Sequence, residues 1–173
     1  MVNKKQLMKK FEQERRENLI SAIEGTHSVV LILDHLKSGF NIGKILRSAE
    51  VFSAREIHVI GTNWFNPYPA RGSFKRVVTH FHQEITTALT KLEQEGYHFF
   101  SFAPRSELLL TLTELPKKSA FILGHEELGL ISELPKKLTV RPLSIPQYGQ
   151  CESLNVSIAA SLGLYEYIRQ HPQ

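Results

Sequence analysis

Apolar residues recur along this chain in two rhythms, short unbroken runs and helical stripes, and the two alternate. Residues 29–33 form an unbroken apolar run ending in Asp34 and read as a buried strand. Residues 41–53 follow, with Ile42, Ile45, Leu46, Ala49 and Phe52 on one helical stripe. Residues 56–61 read as a second strand and 84–95 as a helix; 98–102 and 120–123 read as further strands, and 138–140 as a short β-prone piece. Residues 153–170 read as a long helix with apolar positions Val156, Ile158, Ala159, Ala160, Leu162, Leu164, Tyr165 and Ile168 over most of its surface. A helix that is apolar nearly all round needs burial on two sides, which in a chain this size predicts a partner subunit. Ahead of all this, residues 3–23 read as a charged helix with Leu7, Phe11, Leu19, Ile20 and Ile23 at roughly helical spacing and a favourable Glu12–Arg16 pair. Gly25-Thr26 breaks that pattern, so residues 1–24 read as a basic helical extension and 25–173 as the domain proper.

Strands separated by helices predict an α/β fold with a mostly parallel sheet flanked by helices. In such sheets ligands gather in the loops at one edge, here those after Leu33, Phe102, Leu123 and Ile145. At 173 residues the chain is the size of one ordinary domain. No apolar stretch approaches the roughly 20 residues that cross a bilayer, and the basic N-terminus lacks the apolar core of a secretion signal. The single Cys151 cannot form an internal disulfide, in keeping with a reducing cytoplasm. A formal charge of +4 tilts the expectation toward a polyanionic partner.

Several chemistries are unsupported. There is no glycine-rich dinucleotide fingerprint, no phosphate-binding P-loop and no nucleophile elbow. No Cys/His spacing predicts a metal site; His80 and His82 could share one strand face but read as surface residues. Polar chemistry concentrates instead in three distant segments. Asn41-Ile42-Gly43 leads, six residues after the Asn, to Arg47-Ser48-Ala49. Gly124-His125-Glu126-Glu127-Leu128-Gly129 follows a strand, and Ser153-Leu154-Asn155-Val156-Ser157-Ile158-Ala159-Ala160 opens the last helix. Taken singly, Asn41 and Ser153 also suit helix N-caps, Arg47 an open helix face and Glu126 a turn carboxylate.

In their order and spacing these segments resemble the SpoU/TrmH branch of the SPOUT superfamily of RNA ribose 2′-O-methyltransferases, over about residues 28–170. Ser53 and Glu127 stand where that family often has Gly. The resemblance implies a trefoil knot at the C-terminal end of the sheet, S-adenosylmethionine as cofactor, no metal, and a homodimer whose two subunits complete the site. It places the cofactor against Ala103, Gly124, Ile145 and Leu154, and the catalytic set at Asn41, Arg47, Glu126, Ser153 and Asn155. A guanidinium keeps its proton and makes a poor base, so Arg47 is expected to bind a phosphate and orient the ribose. The apolar Ile145 and Leu154 can sandwich an adenine, and Gly124 lets backbone approach the ligand.

RNA contacts are expected from Arg71, Lys75 and Arg76 in a 62–76 loop rich in rings, from Arg105, and from Lys9 and Arg15 of the first helix. Two readings of that loop stand: its rings stack on bases, or they cap the core. His125 reads as a local variation. With no separate RNA-binding domain in the chain, transfer RNA is favoured over ribosomal RNA. The alternative is a catalytically silent knotted protein that binds RNA or serves assembly.

Overall fold

In the computed structural model, which describes residues 3–173, the alternation of apolar runs becomes a single six-stranded sheet. Its strands are β1 (His27–Asp34), β2 (Ala54–Ile60), β3 (Thr79–His82), β4 (His98–Phe102), β5 (Ser119–Leu123) and β6 (Val140–Leu143), ordered β3-β2-β1-β5-β4-β6. Every neighbouring pair runs parallel. The helices are α1 (Lys4–Ser21), α2 (Gly39–Val51), α3 (Ile85–Gln94) and α4 (Val156–Gln170).

The sheet is buried on both faces, as crossover connections require. Along β1, Val29, Leu31 and Leu33 enter one core with α2 and α4, while Val30 and Ile32 enter the other with α3. Chain order reverses between β1 and β5, so the crevice beyond their C-terminal ends is the switch point of the sheet. Asp34 closes β1 there and Gly124 follows β5.

Several boundaries differ from the sequence expectation. Ser38, not Asn41, occupies the N-cap position of α2, which puts Asn41 in the first turn. Asn155, not Ser153, caps α4, its Oδ1 accepting from Ser157 N. Strand β6 begins two residues later than the expected piece and contains Pro142, which an edge strand tolerates. The pattern did not single out β3 at all. Its His80 and His82 are not plain surface residues: His80 Nε2 lies 3.1 Å from Glu56 Oε2, and His82 Nε2 lies 2.8 Å from His58 Nδ1. Glu56 and His58 are both 1% exposed.

Nor does α1 stand apart from the domain. Asn3 caps it in a reciprocal box with Gln6, and Phe11, 3% exposed, sits among Trp64, Phe65, Phe74 and Phe81. Asn18 Nδ2 donates to the carbonyls of Phe74 and Val77, both at 2.6 Å. The 62–76 loop is therefore a capping loop over most of its rings. Phe65 and Phe74 are fully buried, so neither can stack on a base; Trp64 is partly buried against the same core, and Tyr68 stays open. Met1 and Val2 of the expected extension lie outside the described residues.

Candidate active site

A cavity of about 950 Å³ opens beyond the C-terminal ends of β4, β5 and β6, lined by Ala103, Arg105, Gly124, Glu126, Ile145, Ser153, Leu154 and Asn155 among others. All four residues expected at the cofactor thus face one space, although they come from three loops up to 51 positions apart. Its size falls within the range of small-molecule sites. Residues 145–154 carry no regular structure, and their backbone makes no hydrogen bond among the described residues. That rim presents N–H and C=O groups with apolar Ile145 and Leu154 between them, the donor set that reads a heterocycle's edge while covering its faces.

Glu126 organises the other wall. Its carboxylate accepts from Lys37 N (2.7 Å), from Ser38 N (3.3 Å) and from Asn41 Nδ2 (2.7 Å). Partial burial pushes this carboxyl up, but donation from Asn41 and from the backbone outweighs it and holds the group below the usual carboxylate range. A carboxylate so engaged is an anchor and a weak base. Asn155 Oδ1 accepts from Ser157 N and Oγ, which turns its Nδ2 toward Asn41 Oδ1 at 3.4 Å. The chain Asn155–Asn41–Glu126 therefore ties the starts of two helices to the loop after β5, with both amide orientations fixed by their partners.

Gly124 has a reason other than ligand approach. A Cβ there would lie 2.4 Å from Gly129 C and 2.7 Å from Leu130 N, because residues 125 and 129 exchange backbone hydrogen bonds across a tight turn. His125 Nδ1 accepts from Glu127 N and Leu128 N inside that turn. The residue that sequence reasoning missed is Asp34, wholly buried, which accepts from Ile131 N (2.7 Å), Ser132 N (3.0 Å), Ser132 Oγ and His35 Nδ1 (2.8 Å). Burial raises its carboxyl, yet these donors bring it below the ordinary value. Asp34 and Glu126 thus pin the two ends of the 124–132 loop to the 34–38 loop.

Arg47 does not line the cavity. It is exposed on α2, six residues past Asn41, and Ser48 beside it bonds Ser161 of α4 at 2.7 Å. Of the cations expected to meet RNA, Lys75 pairs with Glu17 and Arg76 with Glu50, and Arg15 lies over the Phe81 ring. Arg71, Arg105 and Lys9 are exposed and have no carboxylate partner among the described residues.

The model of the SpoU rRNA methylase family matches residues 28–165. The chain belongs to that family. The family match spans all three motif segments, from before Asn41 to beyond Ala160. Among relatives, the 23S rRNA (guanosine-2′-O-)-methyltransferase of Coxiella burnetii is 31% identical over 84% of this chain and 60% of its own length. The tRNA (guanosine(18)-2′-O)-methyltransferase of Thermus thermophilus is 29% identical over 82% of this chain and 75% of its own. A solved structure concerned with the 2-OH methylation of C/U34 on tRNA superposes with a TM-score of 0.69 at 25% identity, over 83% of this chain and 95% of that one. The chain spans 39%, 58% and 60% of the length of three of the curated relatives it matches.

Proposed function

We propose that this chain transfers a methyl group from S-adenosylmethionine to a ribose 2′-hydroxyl of RNA, as a cytoplasmic homodimer, with transfer RNA the favoured substrate. The observation that carries this reading is convergence. Ala103, Gly124, Ile145 and Leu154 share one cavity, and the Asn155–Asn41–Glu126 chain joins all three motif segments at its edge.

The residues fit the cofactor: unpaired rim backbone at 145–154, apolar Ile145 and Leu154, and the close turn at Gly124 would hold it. When bound, S-adenosylmethionine supplies an electrophilic methyl on a sulfonium. The chain's own part is alignment of the acceptor oxygen and removal of its proton. Alignment alone can supply on the order of 7–11 kcal/mol. Arg47 holds a phosphate beside the acceptor ribose, and the ribose proton leaves by way of that phosphate. Asn41, fixed by Glu126, and Ser153 and Asn155 hold the acceptor and the loop around it.

Dimerisation is supported by α4. Its Val156, Ala160, Leu164 and Tyr167 face the core, while Leu154 just ahead of it and Ile158, Leu162 and Tyr165 stay 37–55% exposed as a second apolar stripe. Through Ser48–Ser161 and Phe52–Tyr165, Arg47 borders that stripe, so pairing through α4 carries Arg47 toward the partner's cavity. The knot is supported by the 103–118 segment. Its Leu108 and Leu110 bond Ser144, and its Thr113, Leu115 and Lys117 bond the end of α4. Transfer RNA is favoured by the Thermus enzyme and by the matched structure, whose length this chain nearly fills. Labelled S-adenosylmethionine incubated with fractionated total RNA, followed by mapping of the labelled nucleotide, tests the reading. Label on a ribose 2′-oxygen is expected; label on a base or on no RNA would overturn it.

A further inference from the structure

Helix α2 carries three kinds of surface. Gly39 and Gly43 seat on the 65–70 loop: a Cβ on Gly39 would lie 3.2 Å from Phe65 Cα, and one on Gly43 3.0 Å from Asn66 O. Asn41 and Ser48 point the other way, to Glu126 and to Ser161 of α4. At about 100° per residue, Phe40, Lys44 and Arg47 fall between these two contacts on the open side, and all three are exposed. Phe40 is 49% exposed, with Lys44 Nζ 5.1 Å from its ring centroid. Across the glycine seam the loop presents Tyr68, 40% exposed, with Lys10 Nζ 4.1 Å from its ring centroid. Arg71 follows, exposed and held at a φ of 53°.

Packing does not account for these rings, since Phe65 and Phe74 of the same loop are wholly buried and already fill the core beneath it. Lys44, Arg47 and Arg71 have no carboxylate partner among the described residues, in contrast to Lys75 and Arg76. Open rings, each with an ammonium over it and with unpaired guanidinium groups alongside, match a chain of π-faces joined by phosphates. A duplex buries its base faces in its own stack; an unpaired strand offers them.

We propose that Phe40 and Tyr68 form a stacking platform for an unpaired stretch of RNA, with Lys44 and Arg71 holding the flanking phosphates and leading the strand to Arg47. This rests on the methyltransferase reading above and adds to it where the substrate lies and that it is single-stranded there. Anisotropy with a labelled single-stranded RNA oligonucleotide, beside a hairpin duplex of the same composition, tests it. Phe40→Ala and Tyr68→Ala each weaken single-strand binding by about 5- to 150-fold, the range for one lost base stack. Phe40→Tyr and Tyr68→Phe restore it, and Lys44→Gln flattens the salt dependence by about one phosphate contact. Circular dichroism melts verify folding. Affinity for S-adenosylmethionine, titrated separately, does not move, because neither ring lines the cavity. If both alanine variants bind the strand like the parent while RNA is still methylated, the platform is wrong and the activity stands. A parent that binds neither RNA overturns both.

Discussion

Replacing Asp34 separates two things its carboxylate does, and the structure predicts unequal costs. Oδ2 accepts two backbone N–H groups, from Ile131 and Ser132; Oδ1 accepts from Ser132 Oγ and His35 Nδ1. In Asp34→Asn the amide oxygen can keep the two backbone donors. The new NH₂ then faces a hydroxyl and an imidazole, both of which can reverse from donor to acceptor. What is lost is mainly charge assistance, about 1–2 kcal/mol. Asp34→Ala instead orphans two backbone donors at a site with no exposure, costing about 3–5 kcal/mol. For a domain this size, about 2–4 °C per kcal/mol gives a drop of about 2–8 °C for Asn and about 6–20 °C for Ala. Differential scanning calorimetry reads both. A pH series adds a second check. The folded carboxyl lies below its ordinary value, so its stabilisation is complete above about pH 4 and fades as pH falls further. Asp34→Asn should remove that acid-labile part. Equal melting of the two variants, or both within a degree of the parent, would refute the anchor.

Arg47→Ala should abolish methyl transfer while leaving calorimetric binding of S-adenosylmethionine unchanged, since Arg47 lies outside the cavity; full activity would overturn its role. The His58–His82 pair should make stability fall in mild acid. Burial lowers both, His82 to about 4, so the unfolded chain takes up protons first, near pH 6.5, and stability drops from there toward about pH 4. His82→Gln should flatten that slope in urea titrations; an unchanged slope would exclude the pair as its source. Ile158→Asp should turn a dimer into a monomer in sedimentation velocity, its side chain being 51% exposed on the α4 stripe. An unchanged sedimentation coefficient would point to another interface.

The sheet and its helices were legible because buried strands and amphipathic helices print their periods locally. The three motif segments were legible by their residues, while the hydrogen-bonded chain that links Asn41, Glu126 and Asn155 across 114 positions was not. Asp34 escaped notice because an Asp after an apolar run looks like a strand end, and its partners lie 97 and 98 positions away. The fate of the loop rings was hidden for the same reason: what buries Phe65 and Phe74 is Phe11 of a helix whose own pattern is mostly charged. Strand β3 gave no signal, since three of its four residues are polar, and His80 and His82 are held by side chains of β2 rather than by an apolar face.

Three segments far apart in the chain build one pocket, which the proposed function gives to the methyl donor. Isothermal titration of S-adenosylmethionine into the parent and into Gly124→Ala addresses it directly, because a Cβ 2.4 Å from Gly129 C must displace the turn that shapes the pocket wall. The parent should bind saturably and the variant should lose at least about tenfold, which corresponds to about 1.4 kcal/mol. Absence of binding by the folded parent, or equal affinity in the two proteins, would contradict that assignment.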